Sequence, residues 1–292
     1  MRELIMEYVV ERIALPEDFL DRTAIFRNEH PMETNIMGSV AASVAAGTRR
    51  YPTCFWWIVT QGDVIVGIAM RTVPYRLVVS PMPAGAAGPL AHAVFENDPE
   101  CWGVNGPQAI ATEFIKCWCL ESGRPASDFP IHLRETIYVL GRHTPRAGVS
   151  GTSRRANDND VPLLLSWLAA FVSEVGLSNS EVPDESVLLS RLRTTPILLW
   201  ENEGRPVAMA GHAAIVDDAQ GHTGRIGPVF TEPSERGNGY GAAVTSSMIE
   251  HLLSIDCTTI MLYTDSDYAK SNRVYQQLGF VPKGKILELG QN

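Results

Sequence analysis

The sequence contains no run of about 18 consecutive apolar residues, which is the length that a membrane-spanning helix needs. Its first residues, MRELIMEYVVERIAL, place charges among the apolar positions and lack the continuous apolar segment of a signal peptide. The five cysteines have no repeated spacing, which is unlike the disulfide framework of a small secreted domain. We therefore expect a cytoplasmic protein that makes no membrane contact.

An excess of cationic side chains is absent as well. The 33 Asp and Glu residues outnumber the 24 Lys and Arg residues, and the formal net charge is −9. Proteins that bind DNA or RNA obtain much of their affinity from cationic side chains on phosphates. We therefore expect no nucleic-acid partner. An acidic balance is compatible with a cationic or neutral small substrate, and it is also common among soluble proteins in general.

The length of 292 residues is sufficient for two domains. A polar segment rich in Gly, Ser and Asn, residues 147–160, separates two halves that are both patterned with apolar residues. We therefore predict one domain over residues 1–148 and a second over residues 149–292. The two halves are similar in length and in their order of elements, which suggests a duplication.

Each half alternates between strand-like and helix-like patterns. In the first half the patterns predict strands at 8–15, 55–60, 64–71, 77–80 and 136–140, and a helix at 109–120. In the second half they predict strands at 197–200, 207–216, 225–231 and 258–264, and helices at 161–175, 241–253 and 271–278. We therefore expect an α/β or α+β fold in which each domain has a mixed, mostly antiparallel central sheet flanked by helices.

One glycine-rich segment of the second half is suited to binding an anion. Residues 229–241 read VFTEPSERGNGYG, so that a strand ends, a loop with glycines follows and a helix begins. Glycines let backbone N–H groups approach a phosphate, and the start of a helix attracts negative charge. Arg236 can add a charge-assisted hydrogen bond. The Gly-Lys-Ser/Thr of a Walker-type loop is absent, and the glycine spacing differs from the G-x-G-x-x-G of a dinucleotide fold.

This segment resembles the cofactor loop of the GNAT acetyltransferases, whose pattern is Gln/Arg-x-x-Gly-x-Gly/Ala, because Arg236, Gly239 and Gly241 stand at the matching positions. Downstream, residues 271–280 read SNRVYQQLGF and resemble the Asn-x6-Gly-Phe/Tyr region of the same family. The resemblance implies acetyl-CoA as a co-substrate and no metal. In the first half, RTVPYRLVVS at 71–80 and GVNGP at 103–107 resemble the degenerate first repeat of tandem GNAT proteins. The loop PMPAGAAG at 81–88 has no Arg or Gln, so no productive CoA site is expected there.

The resemblance also implies roles for individual residues. In the family, the strand before the loop splays from its neighbour and binds the pantetheine arm of CoA, the loop binds the diphosphate, and the Asn contacts the arm. The cofactor-binding residues expected here are Val229, Phe230, Thr231, Arg236, Gly237, Asn238, Gly239, Tyr240, Gly241, Ala242 and Asn272.

The family reaction is a direct attack of an amine on the thioester, so an acid and a base are needed. Tyr275 is the expected general acid and Glu232 the expected base, while Asp265 and His212 remain alternative bases that fit a turn cap and a core histidine equally. Thr264 is expected to polarise or orient a group through its hydroxyl, or to bond within a turn. We expect a small molecule with a primary amine as the acceptor, and a monomer or homodimer. A non-catalytic acyl-CoA-binding sensor or scaffold, and acetylation of a protein or peptide, are the alternative functions.

Overall fold

The computed structural model describes residues 7–175, 182–219 and 221–290, and the first six residues of the segment compared with signal peptides lie outside these ranges. The chain forms two compact units. The first unit contains Met1–Ile137, Asp265–Asp267 and Gly284–Asn292, and the second contains Tyr138–Thr264 and Tyr268–Lys283. The assignment of residues 1–148 and 149–292 to separate domains stays a prediction.

Strands and helices alternate along both halves of the chain. The strands of the described residues are β1 Tyr8–Ile13, β2 Cys54–Gln61, β3 Val64–Thr72, β4 Leu77–Val79, β5 Gly103–Pro107, β6 Ile131–Leu140, β7 Thr152–Arg155, β8 Leu198–Asn202, β9 Arg205–His212, β10 Val216–Asp218, β11 Gly221–Thr231, β12 Cys257–Asp265 and β13 Phe280–Gly290. The helices are α1 Pro16–Arg22, α2 Ala24–Glu29, α3 Asn35–Ala45, α4 Ala87–Asn97, α5 Gln108–Ser122, α6 Val161–Glu174, α7 Glu185–Thr194, α8 Tyr240–Ser254 and α9 Ala269–Gln277.

The first unit is built on a sheet with the strand order β1-β2-β3-β4-β5-β13. Neighbouring strands are antiparallel except β4 and β5, which are parallel. Successive side chains of a strand point to opposite faces, so Trp56 packs with Phe19 and Met37 on one side of the sheet. Trp57 packs with Leu90 on the other side. Both faces of this sheet are therefore covered by helices.

The second unit contains the sheet order β12-β11-β9-β8-β7, and β10 pairs with the start of β11. Successive side chains along β9 point to opposite faces of the sheet and therefore pack against different helices. Met209 packs with residues of α6 and α7 such as Leu164 and Leu188. Ala208 and Ala210 pack on the other side against α8. The predicted fold class, a mostly antiparallel mixed sheet flanked by helices, is confirmed.

One predicted strand is wrong. The apolar run at 207–216 reads as a single strand in the sequence, but the structure ends β9 at His212 and begins β10 at Val216. Both strands pair with β11: Val216 lies opposite Thr223, and His212 lies opposite Ile226. One apolar run therefore supplies two separate strands to the same neighbour.

Within the described part of the chain, no helix combines the length and apolar character that crossing a bilayer requires.

Candidate functional site

The candidate site begins where β11 and β12 stop pairing. These parallel strands are paired from His222 and Cys257 as far as Arg225 and Met261. Both strands continue, β11 to Thr231 and β12 to Asp265, with no further ladder pairs between them among the described residues. An irregularity between Ile226 and Val229 shifts the register of β11 against β9 at this point. One edge of β11 over 226–231 is thereby separated from its parallel neighbour.

The loop that follows β11 needs glycine at two positions. Gly237 and Gly239 have φ angles of 94° and 87°, which side-chain-bearing residues rarely adopt. Gly239 directly precedes α8. A Cβ atom on Gly241 would lie 2.9 Å from the Thr231 hydroxyl, so the first turn of α8 approaches the end of β11 closely. The loop therefore turns the backbone sharply from the strand into the helix.

A row of unpaired backbone donors lines this turn. The first hydrogen bond of α8 runs from the Ala243 N–H to the Gly239 carbonyl, at 3.0 Å. Among the described residues, the backbone N–H groups of residues 237–242 have no hydrogen-bond acceptor. The start of a helix leaves its first N–H groups unpaired and adds a favourable dipole for an anion. The loop therefore has the donors that a phosphate group requires.

Arg236 already has partners within the protein. Its Nη2 lies 2.6 Å and 2.8 Å from the two carboxylate oxygens of Glu174, at the end of α6. Its Nε donates to the Thr231 carbonyl at 3.0 Å, and its guanidinium carbon lies 5.7 Å from the centre of the Phe230 ring. The predicted contact between Arg236 and a phosphate therefore stays a prediction, and in this structure the arginine links α6 to the loop.

A second arginine, which the sequence patterns do not single out, lies beside the loop. A Cβ atom on Gly239 would be 3.6 Å from Nη2 and 3.9 Å from Nε of Arg146. The backbone N–H of Arg146 donates to the Ser246 hydroxyl at 3.2 Å, and Nε2 of His143 lies 3.1 Å from the same oxygen. Ser246 belongs to α8. Arg146 precedes the loop by about 90 residues, so no local pattern could have revealed this proximity.

Tyr275, on α9, packs next to the separated strands. Its ring meets Phe280 edge to face with centroids 6.1 Å apart, and it contacts the cluster that contains Ile226, Tyr240 and Leu262. Burial raises the pKa of Tyr275 to about 12 because the phenolate would be poorly solvated. No described residue forms a hydrogen bond with its hydroxyl. The hydroxyl is therefore available to a bound molecule.

The remaining predicted cofactor contacts belong to β11, to the loop and to α9. Asn272 is on α9, where its Nδ2 donates to the Tyr268 carbonyl at 3.1 Å. The side chains of Val229 and Phe230 point to opposite faces of the sheet, and Phe230 is buried in the core under α6. Asn238 donates from Nδ2 to the carbonyl of Glu235 at 3.1 Å, which closes the loop.

Glu232 is held by α6. Its Oε2 accepts a hydrogen bond from Trp167 Nε1 at 2.8 Å, while no described residue bonds to Oε1. Asp265, His212 and Thr264 are the other residues that the sequence offers for the catalytic roles. Asp265 accepts from the backbone N–H of Asp267 at 2.8 Å, which fits a turn-capping role. His212 is 3% exposed, and burial lowers its pKa to about 4. Thr264 is also buried.

In the first unit, the strand and the loop at the corresponding position approach neighbouring residues closely. The pairing between β4 and β5 extends over Leu77 and Val78, and a Cβ atom on Gly106 would lie 2.6 Å from the Val79 carbonyl oxygen. The loop before α4 is filled by the Tyr8 ring, which would be 3.0 Å from a Cβ on Gly85. These contacts are consistent with the expected lack of a CoA site in the first half, which stays a prediction.

Comparison with known proteins relates part of the chain to one family. The model of the acetyltransferase (GNAT) family matches residues 166–280, which include the separated strands, the loop and α9. A mycothiol acetyltransferase of Parafrankia sp. (strain EAN1pec) is 39% identical over 72 residues, which are 24% of this chain and 22% of that protein. The similarity therefore spans only about a fifth of the relative's length.

Two solved structures resemble the chain over nearly its whole length. An acetyltransferase of the GNAT family from Colwellia psychrerythraea superposes with a TM-score of 0.61 at 13% identity, covering 97% of this chain and 99% of its own. A tandem GNAT protein from the clavulanic acid biosynthesis pathway gives a TM-score of 0.57 at 13% identity, covering 97% and 98%. At such identity these likenesses establish the fold. Residues 166–280 thus match the acetyltransferase (GNAT) family, within a chain whose fold is similar to GNAT structures over nearly its whole length.

Proposed function

We propose that this chain is an N-acetyltransferase that moves an acetyl group from acetyl-CoA to the primary amine of a small molecule by direct attack. The observation that carries the proposal is the row of unpaired backbone N–H groups at 237–242, between the unpaired edge of β11 and the start of α8. This row fits the diphosphate of CoA, and the strand edge beside it fits an extended chain bearing amide groups. The family match at the same residues supports this use.

Acetyl-CoA supplies an activated thioester, and the protein has to bind it, orient it and manage the charge on the departing sulfur. Tyr275 is suited to donate a hydrogen bond to that sulfur rather than a whole proton. With its pKa near 12 and a thiol pKa of about 8.5, full proton transfer to the thiolate would be uphill by about 5 kcal/mol. A hydrogen bond from the hydroxyl to the sulfur carries no such cost.

Glu232 is the proposed proton acceptor for the amine. A free primary alkylamine with a pKa of about 10.4 is mostly protonated at neutral pH, so the minor neutral form attacks the thioester, and its nitrogen becomes much more acidic and gives up a proton as the bond to the carbonyl carbon forms. Trp167 fixes Oε2 of the Glu232 carboxylate, and Oε1 stays available to accept a proton directly or through a water molecule. This arrangement orients the carboxylate without neutralising it.

The acceptor is proposed to be a small molecule, because a relative that is similar over 72 residues is a mycothiol acetyltransferase. The acidic balance of the chain supports neither DNA nor RNA as a partner. We propose a monomer or homodimer with a single working site, in the second half, and a first half that contributes fold rather than CoA binding. A cytoplasmic location and the lack of a metal requirement belong to the same proposal.

The test is calorimetric binding of CoA followed by release of free thiol from acetyl-CoA across a panel of small amines. We expect CoA to bind and at least one amine to release thiol in stoichiometric proportion to acetylated product. Binding without turnover on any amine or peptide would favour a non-catalytic acyl-CoA-binding protein. A protein that does not bind CoA at all would refute the proposal.

A further inference from the structure

The arginine expected from the family pattern is already paired. The guanidinium of Arg236 makes two short contacts to the carboxylate of Glu174, at 2.6 Å and 2.8 Å, and a third hydrogen bond to the Thr231 carbonyl. A cation neutralised by a carboxylate at this distance exerts little net attraction on an approaching phosphate. The loop therefore needs another source of positive charge if it is to bind a polyanion strongly.

Arg146 is placed to supply this charge. Its guanidinium nitrogens lie 3.6 Å and 3.9 Å from the Cβ position of Gly239, so they stand beside the unpaired N–H groups of the loop. Within the ranges that the structure describes, no carboxylate or carbonyl oxygen binds this guanidinium. The side chain is exposed, and its five N–H donors can form the two-pronged contact that arginine makes with phosphates.

The backbone of Arg146 is fixed to the same helix that starts at the loop. Its N–H donates to the hydroxyl of Ser246, and the imidazole of His143 contacts the same oxygen. Ser246 is 4% exposed, so this anchor is part of the packing of α8. Val149, three residues further along, would lie 3.2 Å from a Cβ on Gly239. The chain on both sides of the arginine is thus held against the first turns of α8.

We propose that Arg146, and not Arg236, is the principal cationic side chain that binds the phosphate groups of the acyl-CoA. The inference rests on the proposed function, because it identifies a further binding residue of that site. It assigns a cofactor contact to a segment outside both family-like motifs. The phosphate concerned is either part of the diphosphate or the 3′-phosphate of the nucleotide, and the two share the same chemistry.

The test compares the affinities of wild type, Arg146→Gln and Arg50→Gln for CoA and for dephospho-CoA, which lacks the 3′-phosphate. Arg50 is exposed and belongs to the first unit, so its substitution removes the same charge from a residue outside the proposed binding site. We expect Arg146→Gln to weaken CoA binding about tenfold at low ionic strength and less at high salt, since salt screens exposed charges. Arg50→Gln should bind CoA as wild type does.

The two ligands identify the phosphate. If Arg146→Gln weakens binding of CoA but not of dephospho-CoA, the arginine binds the 3′-phosphate. If it weakens binding of both, the arginine binds the diphosphate. Equal affinities of wild type and Arg146→Gln for CoA would overturn the inference while leaving the proposed function intact. Failure of wild type to bind either ligand would instead overturn the proposed function.

Discussion

A phenol whose ionisation is disfavoured by desolvation is a poor acid and a good hydrogen-bond donor, and the partly buried Tyr275 is such a group. Its pKa of about 12 follows from desolvation, and its hydroxyl has no partner among the described residues. We expect Tyr275→Phe to lower kcat about tenfold, because one hydrogen bond to the departing sulfur is lost. The affinity for CoA should be unchanged. The check is steady-state kinetics together with calorimetry.

The pH profile separates this role from proton donation. In wild type, kcat should show no loss from ionisation of Tyr275 as the pH rises to about 10, because its pKa lies near 12. Tyr275→Phe should therefore lower the whole profile without changing its alkaline shape. A wild-type kcat equal to that of Tyr275→Phe would remove the tyrosine from the mechanism.

The carboxylate of Glu174 lowers the positive electrostatic potential that Arg236 produces at the loop. Both side chains of this pair are partly exposed, so the pair itself contributes little to stability. We expect Glu174→Gln to bind CoA about threefold more tightly, because Arg236 is then no longer neutralised and about 0.7 kcal/mol of attraction becomes available. Calorimetry at low ionic strength measures this change.

The control for this charge effect is Glu203→Gln. Glu203 lies in the exposed turn between β8 and β9, and its substitution removes one negative charge without touching Arg236. It should leave CoA affinity as in wild type. If both variants tighten binding equally, the effect is one of net charge and the pairing with Glu174 is irrelevant.

Much of the candidate site could be predicted at the level of single residues, because the donors belong to the backbone of one continuous segment. Gly239 and Gly241 determine where that backbone can turn, and local sequence shows them directly. The surroundings of each side chain could not be predicted in the same way. The pairing of Arg236 with Glu174 joins residues far apart in the chain, as does the position of Arg146, and only tertiary packing brings them together.

At the scale of elements, the link between β11 and α8 depends on the backbone conformation of Gly239. A side chain at its φ of 87° costs about 1–2 kcal/mol, and the added Cβ would approach Val149 at 3.2 Å. We expect Gly239→Ala to weaken CoA binding about tenfold, because the N–H groups at the start of α8 would be displaced. Calorimetry gives the affinity and thermal melting gives the stability.

Gly123 provides a matched control. It follows α5 with a φ of 68°, and a Cβ there would meet nothing within 4 Å. Gly123→Ala should therefore cost similar stability and leave CoA binding unaltered. Should the two variants lose affinity to the same extent, the loss would reflect general destabilisation and not the geometry of the loop.

His212, the last residue of β9, makes the stability of the second unit depend on pH. Burial, aided by the charges of His251, Arg191 and Arg155, lowers the pKa of His212 to about 4 from an ordinary value of about 6.5. Between pH 4 and pH 6.5, the imidazole of His212 is protonated in the unfolded state and neutral in the folded state. The contribution of His212 is therefore fully present above pH 6.5 and is lost as the pH falls toward 4.

We expect wild type to lose about 2 kcal/mol more of its free energy of unfolding between pH 7 and pH 4 than His212→Phe does. Chemical denaturation at several pH values measures the difference. His92 serves as a control, because it is exposed and its pKa is raised by Glu121, so its contribution has the opposite sign. An equal loss in wild type and His212→Phe would contradict the assignment.

The sequence predicts elements better than it predicts their partners. The positions of β2, β3, α5, α6 and α8 follow from apolar periodicity within a few residues, because each element buries one face. The run at 207–216 is the exception, since a continuous apolar stretch cannot reveal that its two ends become separate strands. The pairing of β13 with β5 is also beyond local pattern, because strand neighbours that far apart in the chain are chosen by the whole sheet.

At the scale of the whole molecule, the boundaries of the two compact units differ from the predicted domain boundary at residues 148 and 149. A fragment of residues 149–292 would lack the segment that anchors Arg146 to α8. It would also carry Ile286, Leu287 and Leu289, which are 4–7% exposed in the first unit and would have no partner strand. A fragment of residues 138–283 follows the second unit and has neither defect.

We therefore expect the 138–283 fragment to remain monodisperse and to bind CoA, and the 149–292 fragment to aggregate or to bind more weakly. Light scattering and calorimetry compare the two. If 149–292 were the better behaved and the tighter binder, the domain division at 148 and 149 would describe the folding unit better than the compact units do.

The pairing of β13 with β5 also has a consequence for biosynthesis. Ribosomes make β13 after β1 to β12, yet its last residues complete the sheet of the unit whose first strand is made earliest. The edge of β5 is therefore covered only after residues 286–290 have been synthesised. A nascent chain interrupted just before Gly284 would leave the edge of β5 unpaired, and we expect chaperones or proteases to bind it there.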